Sequence, residues 1–177
     1  MTELLPWMCT STGIRFWYNA FKPEDFNLTD IAHALSNICR FTGHSRVFYS
    51  VAQHSVLVSR LCEPKNKVAG LLHDAAEAYI GDINHPLKSY LDGIKKLERQ
   101  IAEAIFLQFG IKYWDRLDVF RADKIMLATE NRDLMPTSDG WYLPEPPMEA
   151  KIEPLMPVEA EALFWEEYAV LGGRQDE

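Results

Sequence analysis

The sequence lacks the closely spaced cysteine pairs that bind structural zinc or form a redox centre. Its three cysteines, Cys9, Cys39 and Cys62, are odd in number and far apart in the chain. Neither a zinc ribbon nor a thioredoxin-like motif is therefore predicted. We expect reduced thiols in a cytoplasmic protein, because disulfides persist mainly in oxidising compartments.

Long apolar runs and clustered positive charge are also missing. No run approaches the roughly 18 apolar residues of a membrane-spanning helix, and the first residues lack the basic segment and apolar run of a secretory signal. Lys and Arg number 18 against 26 Asp and Glu, which gives a net charge of −8. The cations are scattered, whereas a duplex-binding surface needs a basic stripe. We therefore expect neither a membrane nor polymeric nucleic acid as a partner. An anionic small ligand is compatible with this charge, because a few local cations suffice to bind it.

Helical periodicity is what the sequence does contain, over most of its 177 residues. The spacing of apolar residues predicts helices over about 29–40, 48–62, 66–80, 92–109, 115–134 and 158–171, with a short one that starts at Pro86 or Leu87. A length of this order suits one domain with a sizeable core.

Two segments depart from this periodicity. Residues 1–28 are irregular and rich in aromatic residues, with a short strand at Arg15–Tyr18, and residues 136–156 hold five prolines and no clear period. We expect the second of these, the Pro-rich segment, to run extended over the surface. The sequence thus predicts an all-α bundle in a single domain, 1–177, with its core at about 28–135 and the Pro-rich segment before the last helix.

One stretch places imidazole and carboxylate groups in an otherwise apolar helix. His73 and Asp74 are adjacent among Leu and Ala residues, and Glu77 follows one turn later on the same flank. Buried charges are tolerated when they are paired or bind a metal. An adjacent imidazole and carboxylate are typical metal ligands, and a carboxyl one turn on is typical of an acid or base. A salt-bridged helix surface is the competing structural interpretation.

Two further residues interrupt apolar helix faces. His54 and Asp123 each have apolar neighbours at the three- and four-residue spacings. A hydrogen-bonded core histidine and a buried Asp–cation pair are the competing structural explanations. Together, His54, His73, Asp74 and Asp123 offer two nitrogen and two oxygen ligands, a set that suits Mn, Fe, Co, Ni or Zn. We refer to these four residues as the ligand set.

This pattern resembles the HD-domain metal-dependent phosphohydrolases, whose signature is H…HD…D on separate helices. The stretches Ala52–Ser55, His73–Lys88 and Ala122–Lys124 are most similar to the YfbR-like 5′-deoxynucleotidases and their phage-encoded relatives. The resemblance is strong from about Asp30 to Met135. It implies an HD-domain bundle, one divalent ion (Mn, Co, Zn, Ni, Fe or Mg) as cofactor, and release of phosphate from deoxynucleoside monophosphates.

The resemblance also implies roles for individual residues. Glu77 becomes the catalytic carboxylate beside the metal, and Asp82, grouped with it as catalytic, lies near the sugar. The implied substrate-binding residues are Arg40, Phe41, Arg46 and Lys88. Arg40 and Lys88 meet the phosphate, Arg46 is an alternative phosphate ligand, and Phe41 stands where the family usually has Trp. A homo-oligomer, a dimer or higher, is expected from the resemblance and from the aromatic- and proline-rich segments.

Other functions compete within the same fold. A deoxynucleoside triphosphate hydrolase would need extra cations near residues 40–46, a loop with two arginines. A non-enzymatic nucleotide-binding module is disfavoured because the ligand set and Glu77 are complete. A guanosine tetraphosphate hydrolase usually has a longer acidic motif, whereas Ala78 follows Glu77 here. An HD-GYP phosphodiesterase would need a GYP motif, which the sequence lacks.

Overall fold

The computed structural model describes residues 6–137 and 139–172. This part of the chain forms eight α-helices and one two-stranded sheet, so the expected all-α class is confirmed. The helices are α1 (Leu28–Asn37), α2 (Val51–Leu61), α3 (Lys67–Leu71), α4 (Glu77–Ile80), α5 (His85–Lys88), α6 (Ile94–Gln108), α7 (Arg116–Leu134) and α8 (Pro157–Val170). Among the described residues, none of these helices combines the length and apolar character needed to cross a membrane.

The central helix is α2, which packs against α1, α3, α7 and α8. Ser50 caps it by accepting a hydrogen bond from the backbone N–H of Gln53 at 3.1 Å. Val51, Ala52 and Val56 join one apolar cluster, and Val58 joins a second cluster with residues of α7. Because α2 has neighbours on several sides, a polar side chain on it must find a partner inside the protein.

The aromatic residues of the N-terminal segment belong largely to the core. Strand β1 (Trp7–Cys9) pairs antiparallel with β2 (Arg15–Trp17), so the predicted strand ends one residue early and its partner was not predicted. Phe16 and Phe26 are fully buried. Their ring centroids lie 4.5 and 5.0 Å from that of Tyr79. These rings therefore do not form the exposed patch from which we predicted an oligomer.

The continuous helix predicted over 66–80 is wrong. The chain forms α3, then turns over residues 72–76, and then forms α4. The ring Nδ1 of His73 donates to the carbonyl of Gly70 at 2.7 Å. In an unbroken helix that carbonyl would accept from the N–H of Asp74, so the side chain interrupts the helical ladder. His73 and Asp74 lie in a turn rather than on a helix flank.

The expected positions of the other helices hold with small changes. The other predicted long helices are confirmed, with ends that differ by no more than three residues. In its described part, the Pro-rich segment forms neither helix nor strand. The side chain of Gln53 fixes it by donating to Glu153 O at 2.7 Å and accepting from Leu155 N at 2.9 Å. The three cysteines are free thiols.

Candidate metal centre

The four residues of the ligand set meet between α2, the 72–76 turn and α7. Nε2 of His54 lies 3.4 Å from Oδ1 of Asp123 and 3.6 Å from Oδ2 of Asp74. Nε2 of His73 lies 3.2 Å from the same Asp74 oxygen. One ligand atom from each of His54, His73 and Asp123 lies within 4.8 Å of the others. Bonds of about 2.0–2.2 Å to one ion hold ligand atoms about 3–3.5 Å apart, so this spacing fits a shared ion.

The two ring nitrogens of this cluster are buried but unsatisfied. Nε2 of His54 and Nε2 of His73 have no hydrogen-bond partner among the described residues. A buried polar atom without a partner costs free energy and calls for an explanation. A bound cation supplies the missing partner for both atoms, so the residues present fit a metal ion.

The Nδ1 atoms of the two histidines explain why both Nε2 atoms are available to a metal ion. Nδ1 of His73 donates to a carbonyl, that of Gly70, and a carbonyl oxygen only accepts. Nδ1 of His54 lies 2.5 Å from Oε1 of Glu130. A histidine that donates from one ring nitrogen to a carbonyl or carboxylate presents the other to a metal. The protein thus orients both rings towards the same place.

Glu130 also belongs to this polar cluster, and our sequence reasoning missed it. It is fully buried on α7, and its Oε2 accepts from Nε and Nη2 of Arg40 at 3.3 and 3.1 Å. Burial opposes its ionisation, but the charges of Arg40 and His54 hold the pKa of Glu130 below its usual value. It follows Asp123 by seven residues, which is two turns on one helix face. That spacing was the sequence signal that could have identified it.

Charges within the site favour the ligand forms of the carboxylates. Burial opposes ionisation of Asp123, but its interaction with the imidazole of His54, followed by the charges of His73 and Lys124, holds the pKa of Asp123 well below its usual range. Burial also opposes the ionisation of Asp74. The neighbouring His73, followed by His54 and Arg40, outweighs this effect and holds the pKa of Asp74 well below its usual range. Burial opposes the protonation of His54, but Glu130 and Asp123 raise the pKa of His54 to about 9. Metal binding must therefore displace a proton from this ring.

The predicted catalytic carboxyls, Glu77 and Asp82, follow His73 and Asp74 in the chain. Glu77 begins α4 and is buried, with Oε1 at 3.7 Å from Nζ of Lys88 and Oε2 without a hydrogen-bond partner in the described chain. Burial, followed by the negative charges of Asp74 and Asp82, raises the pKa of Glu77 well above its usual value. Burial is also the main cause that raises the pKa of Asp82. Lys88 pairs most closely with Glu98, at 2.6 Å.

The structure separates the predicted substrate-binding residues. Arg40 contacts the ligand set, since its Nη1 lies 3.5 Å from Oδ2 of Asp74. Phe41 follows in the left-handed conformation, with φ of 55°, and its ring meets the edge of Trp141 at 5.8 Å between centroids. Arg46, in contrast, lines a different cavity of about 660 Å³, which residues of the Pro-rich segment also line. No member of the ligand set lines this cavity.

Comparison with known proteins gives relatives without an assigned activity. No protein-family model matches the chain. It is 42% identical over 164 residues to the uncharacterized protein YfdR of Escherichia coli strain K12, an alignment that covers 90% of this chain and 92% of that protein. It is also 36% identical over 99 residues to an uncharacterized protein of Rhodobacter capsulatus, with half of each chain covered.

Proposed function

The chain belongs to the family of the Escherichia coli protein YfdR, and we propose that it is a metal-dependent phosphohydrolase of the HD-domain type. Its proposed reaction is release of phosphate from deoxynucleoside monophosphates. The observation that carries this proposal is the pair of buried, unpartnered Nε2 atoms of His54 and His73 beside the carboxylates of Asp74 and Asp123, as far as the described residues show. Two imidazoles and two carboxylates suit a divalent first-row ion.

The chemistry needs positive charge and a proton carrier at the phosphate. A divalent ion held by the ligand set would draw charge from a phosphoryl oxygen and lower the pKa of water. Arg40 is fixed by Glu130 and Asp74, so its guanidinium is already in place to stabilise charge that develops on the phosphoryl group. Glu77, with its raised pKa, exchanges a proton with the attacking water.

The proposed reaction balances without a further reactant. The oxygen of water bonds to phosphorus, and the bond between phosphorus and the 5′ oxygen of the nucleoside breaks. One proton of the water ends on the leaving 5′ oxygen, and Glu77 returns to its starting protonation state. Asp82 in the loop after α4 is the proposed contact to the sugar, in line with the resemblance.

The cations of the site support a monophosphate over a longer phosphate chain. Arg40 is already paired with Glu130 and Asp74, and Lys88 with Glu98 and Glu77. Little unpaired positive charge from these two residues is left for additional phosphates. A deoxynucleoside triphosphate hydrolase is the second candidate. The observation that favours it is Lys124, a further cation at the ligand set, although this ammonium also has a carboxylate partner, Asp123 at 3.0 Å.

A substrate and metal screen tests the proposal. The metal-free protein would be reloaded with Mn, Co, Zn, Ni, Fe or Mg, mixed with deoxynucleoside and ribonucleoside mono-, di- and triphosphates, and the products separated by chromatography. We expect phosphate and free deoxynucleoside from the monophosphates, and loss of activity on chelation. Release of triphosphate or pyrophosphate would favour the second candidate. Nucleotide binding by the metal-loaded protein without any hydrolysis would contradict both and leave the non-enzymatic module.

A further inference from the structure

An open groove begins at the ligand set, and Arg40 does not line it. His73 and Asp123 form one end of it, and its other walls are Trp114, Arg116, Leu117, Val119 and Phe120. We call this the apolar groove. Its volume is about 530 Å³, within the range of about 300–1,000 Å³ that is usual for pockets that take small organic ligands.

The outer wall of the apolar groove consists of large apolar side chains that the fold leaves in solvent. Leu117 is 77% exposed and Phe120 is 58% exposed. They lie three residues apart near the start of α7, and therefore on one side of that helix. Exposed apolar side chains that adjoin one another commonly mark a surface that binds something. Because two metal-ligand residues close this groove at one end, a molecule bound there would also reach the candidate metal centre.

Positive charges border the same walls. The guanidinium of Arg116 lies 5.6 Å from the ring centroid of Trp114, and the ammonium of Lys124 lies 4.9 Å from that of Phe120. The whole chain carries a net charge of −8, so two cations against aromatic walls are a local departure from its average. Flat rings bordered by cations complement a ligand that is itself aromatic and anionic.

Phe41, which the resemblance groups with the substrate-binding residues, is less available for stacking. Phe41 already meets the guanidinium of Arg40 at 5.3 Å from its ring centroid, and the edge of Trp141 at 5.8 Å. A nucleobase would have to displace one of these partners. Phe120 also meets a cation, Lys124, but its ring lines open space next to Asp123.

We propose that the apolar groove binds the nucleobase of the substrate while its phosphate lies at the ligand set, an inference that rests on the proposed function. The ring of the base stacks on the aromatic walls, Phe120 above all. Arg116 and Lys124 attract the negatively charged ester towards the groove. The groove therefore sets the substrate class: phosphate esters with a flat ring are preferred over small aliphatic ones, and Phe120 determines that preference.

Steady-state kinetics of Phe120→Ala test this preference. With a deoxynucleoside monophosphate, we expect KM to rise about tenfold in Phe120→Ala, the usual loss when one aromatic stacking partner is removed, with kcat nearly unchanged. With glycerol phosphate, which has no ring, KM should not change. The matched control is Tyr113→Ala, because Tyr113 is 92% exposed next to Trp114 but does not line the groove. An equal change of KM for both esters, or none for either, would overturn the groove proposal.

A binding measurement separates failure of the groove from failure of the hydrolase. Tryptophan fluorescence would be titrated with a deoxynucleoside that carries no phosphate, for the original protein and for Trp114→Phe. Quenching that depends on Trp114 and weakens in Phe120→Ala would uphold the groove even if no ester were hydrolysed. Hydrolysis with unchanged kinetics and quenching in Phe120→Ala would uphold the hydrolase and reject the groove.

Self-association is the remaining explanation for exposed Leu117 and Phe120. Light scattering of the original protein and of Phe120→Ala distinguishes it. We expect the same oligomeric state for both proteins. If Phe120→Ala instead dissociates into monomers while its KM for deoxynucleotides stays the same, the surface is a subunit interface and the groove proposal is wrong.

Discussion

Two polar clusters in this chain are built in opposite ways. Asp30 on α1 is buried, and its two carboxylate oxygens accept four hydrogen bonds, from Ser11 Oγ at 2.6 Å, Thr12 N and Oγ1 at 2.8 Å each, and Asn27 Nδ2 at 2.7 Å. Burial opposes its ionisation, but these bonds hold the pKa of Asp30 below its usual value. Its hydrogen-bonding capacity is filled by the protein, and it ties the hairpin turn to α1.

His54 and His73 show the contrary arrangement. Each ring uses one nitrogen for a hydrogen bond, to Glu130 or to Gly70, and keeps the other buried without a partner among the described residues. A cluster whose capacity is filled has no donor or acceptor left for a ligand, whereas one with buried capacity left over can bind one. The comparison therefore assigns a structural role to Asp30 and a binding role to the ligand set.

The largest effect is expected from Glu77→Gln, which removes the proton carrier and keeps the size of the side chain. Turnover should fall by roughly 10²–10⁴, the usual contribution of a positioned acid or base. Metal content and melting temperature should stay close to those of the original protein, because Glu77 is not a member of the ligand set. Nucleotide hydrolysis, elemental analysis and thermal melting of one preparation measure all three.

The control for Glu77 is Glu98→Gln, since both carboxylates lie next to Lys88, at 3.7 and 2.6 Å. If Glu77 served only as a partner of Lys88, the two variants would lose activity to a similar extent. Equal turnover in the two variants would thus remove Glu77 from the mechanism.

Glu130→Gln should weaken metal binding by about 10- to 100-fold, because it disturbs the group that orients His54. The same change leaves Arg40 with one less buried countercharge, so some loss of thermal stability is expected as well. Competition with a fluorescent chelator gives the affinity. Glu167→Gln is the matched control, a buried carboxylate paired with Arg60 instead. Metal affinity that is the same in both variants would show that Glu130 plays no part in the site.

Asp30→Asn tests the structural role of the Asp30 cluster. It replaces a charged acceptor of several hydrogen bonds and should reduce the free energy of unfolding by about 2 kcal/mol. Metal content and turnover per folded molecule should be unaffected, since Asp30 does not belong to the ligand set. Chemical unfolding alongside elemental analysis checks both. Loss of metal from this variant would mean that the two clusters are not independent.

The contribution of Asp30 should also depend on pH, with a smaller effect. Because its pKa is lowered on folding, the ionised form stabilises the protein above the ordinary Asp pKa of about 3.9. That contribution is lost as the pH falls through the lowered value of the folded state. The stability gap between the original protein and Asp30→Asn should therefore be constant near neutral pH and shrink below about pH 4. A gap that widens towards acid would contradict this origin.

The residues of the candidate site could be predicted from the sequence better than the local backbone structure around them could be. His54 and Asp123 were identified because each interrupts an apolar stripe of a long helix. The helical spacing of such a stripe is kept in the folded protein. The break at 72–76 was not predicted, since Leu, Ala and His residues fit a helix equally well. It depends on one side-chain hydrogen bond, from His73 to Gly70, and periodicity carries no information about such a bond.

Residues that act through others were harder to identify. Glu130 was not predicted, although its seven-residue distance from Asp123 repeats the inward face of α7. Arg46 shares its loop with Arg40, yet the chain turns sharply at Phe41 and Thr42, both at positive φ, and Arg46 faces another cavity. The direction of a loop after such a turn is set by tertiary contacts, so proximity in sequence was misleading.

Metal content is the most direct test of the central claim, that the ligand set binds a divalent ion. The original protein, Asp123→Ala and Asp118→Ala would be stripped, reloaded and analysed for metal. Asp118 is the matched control on the same helix, where its carboxylate accepts from Glu63 N and Asn66 Nδ2. We expect about one ion per chain in the original protein and in Asp118→Ala, and little or none in Asp123→Ala. Normal metal content in folded Asp123→Ala would contradict the four-residue site.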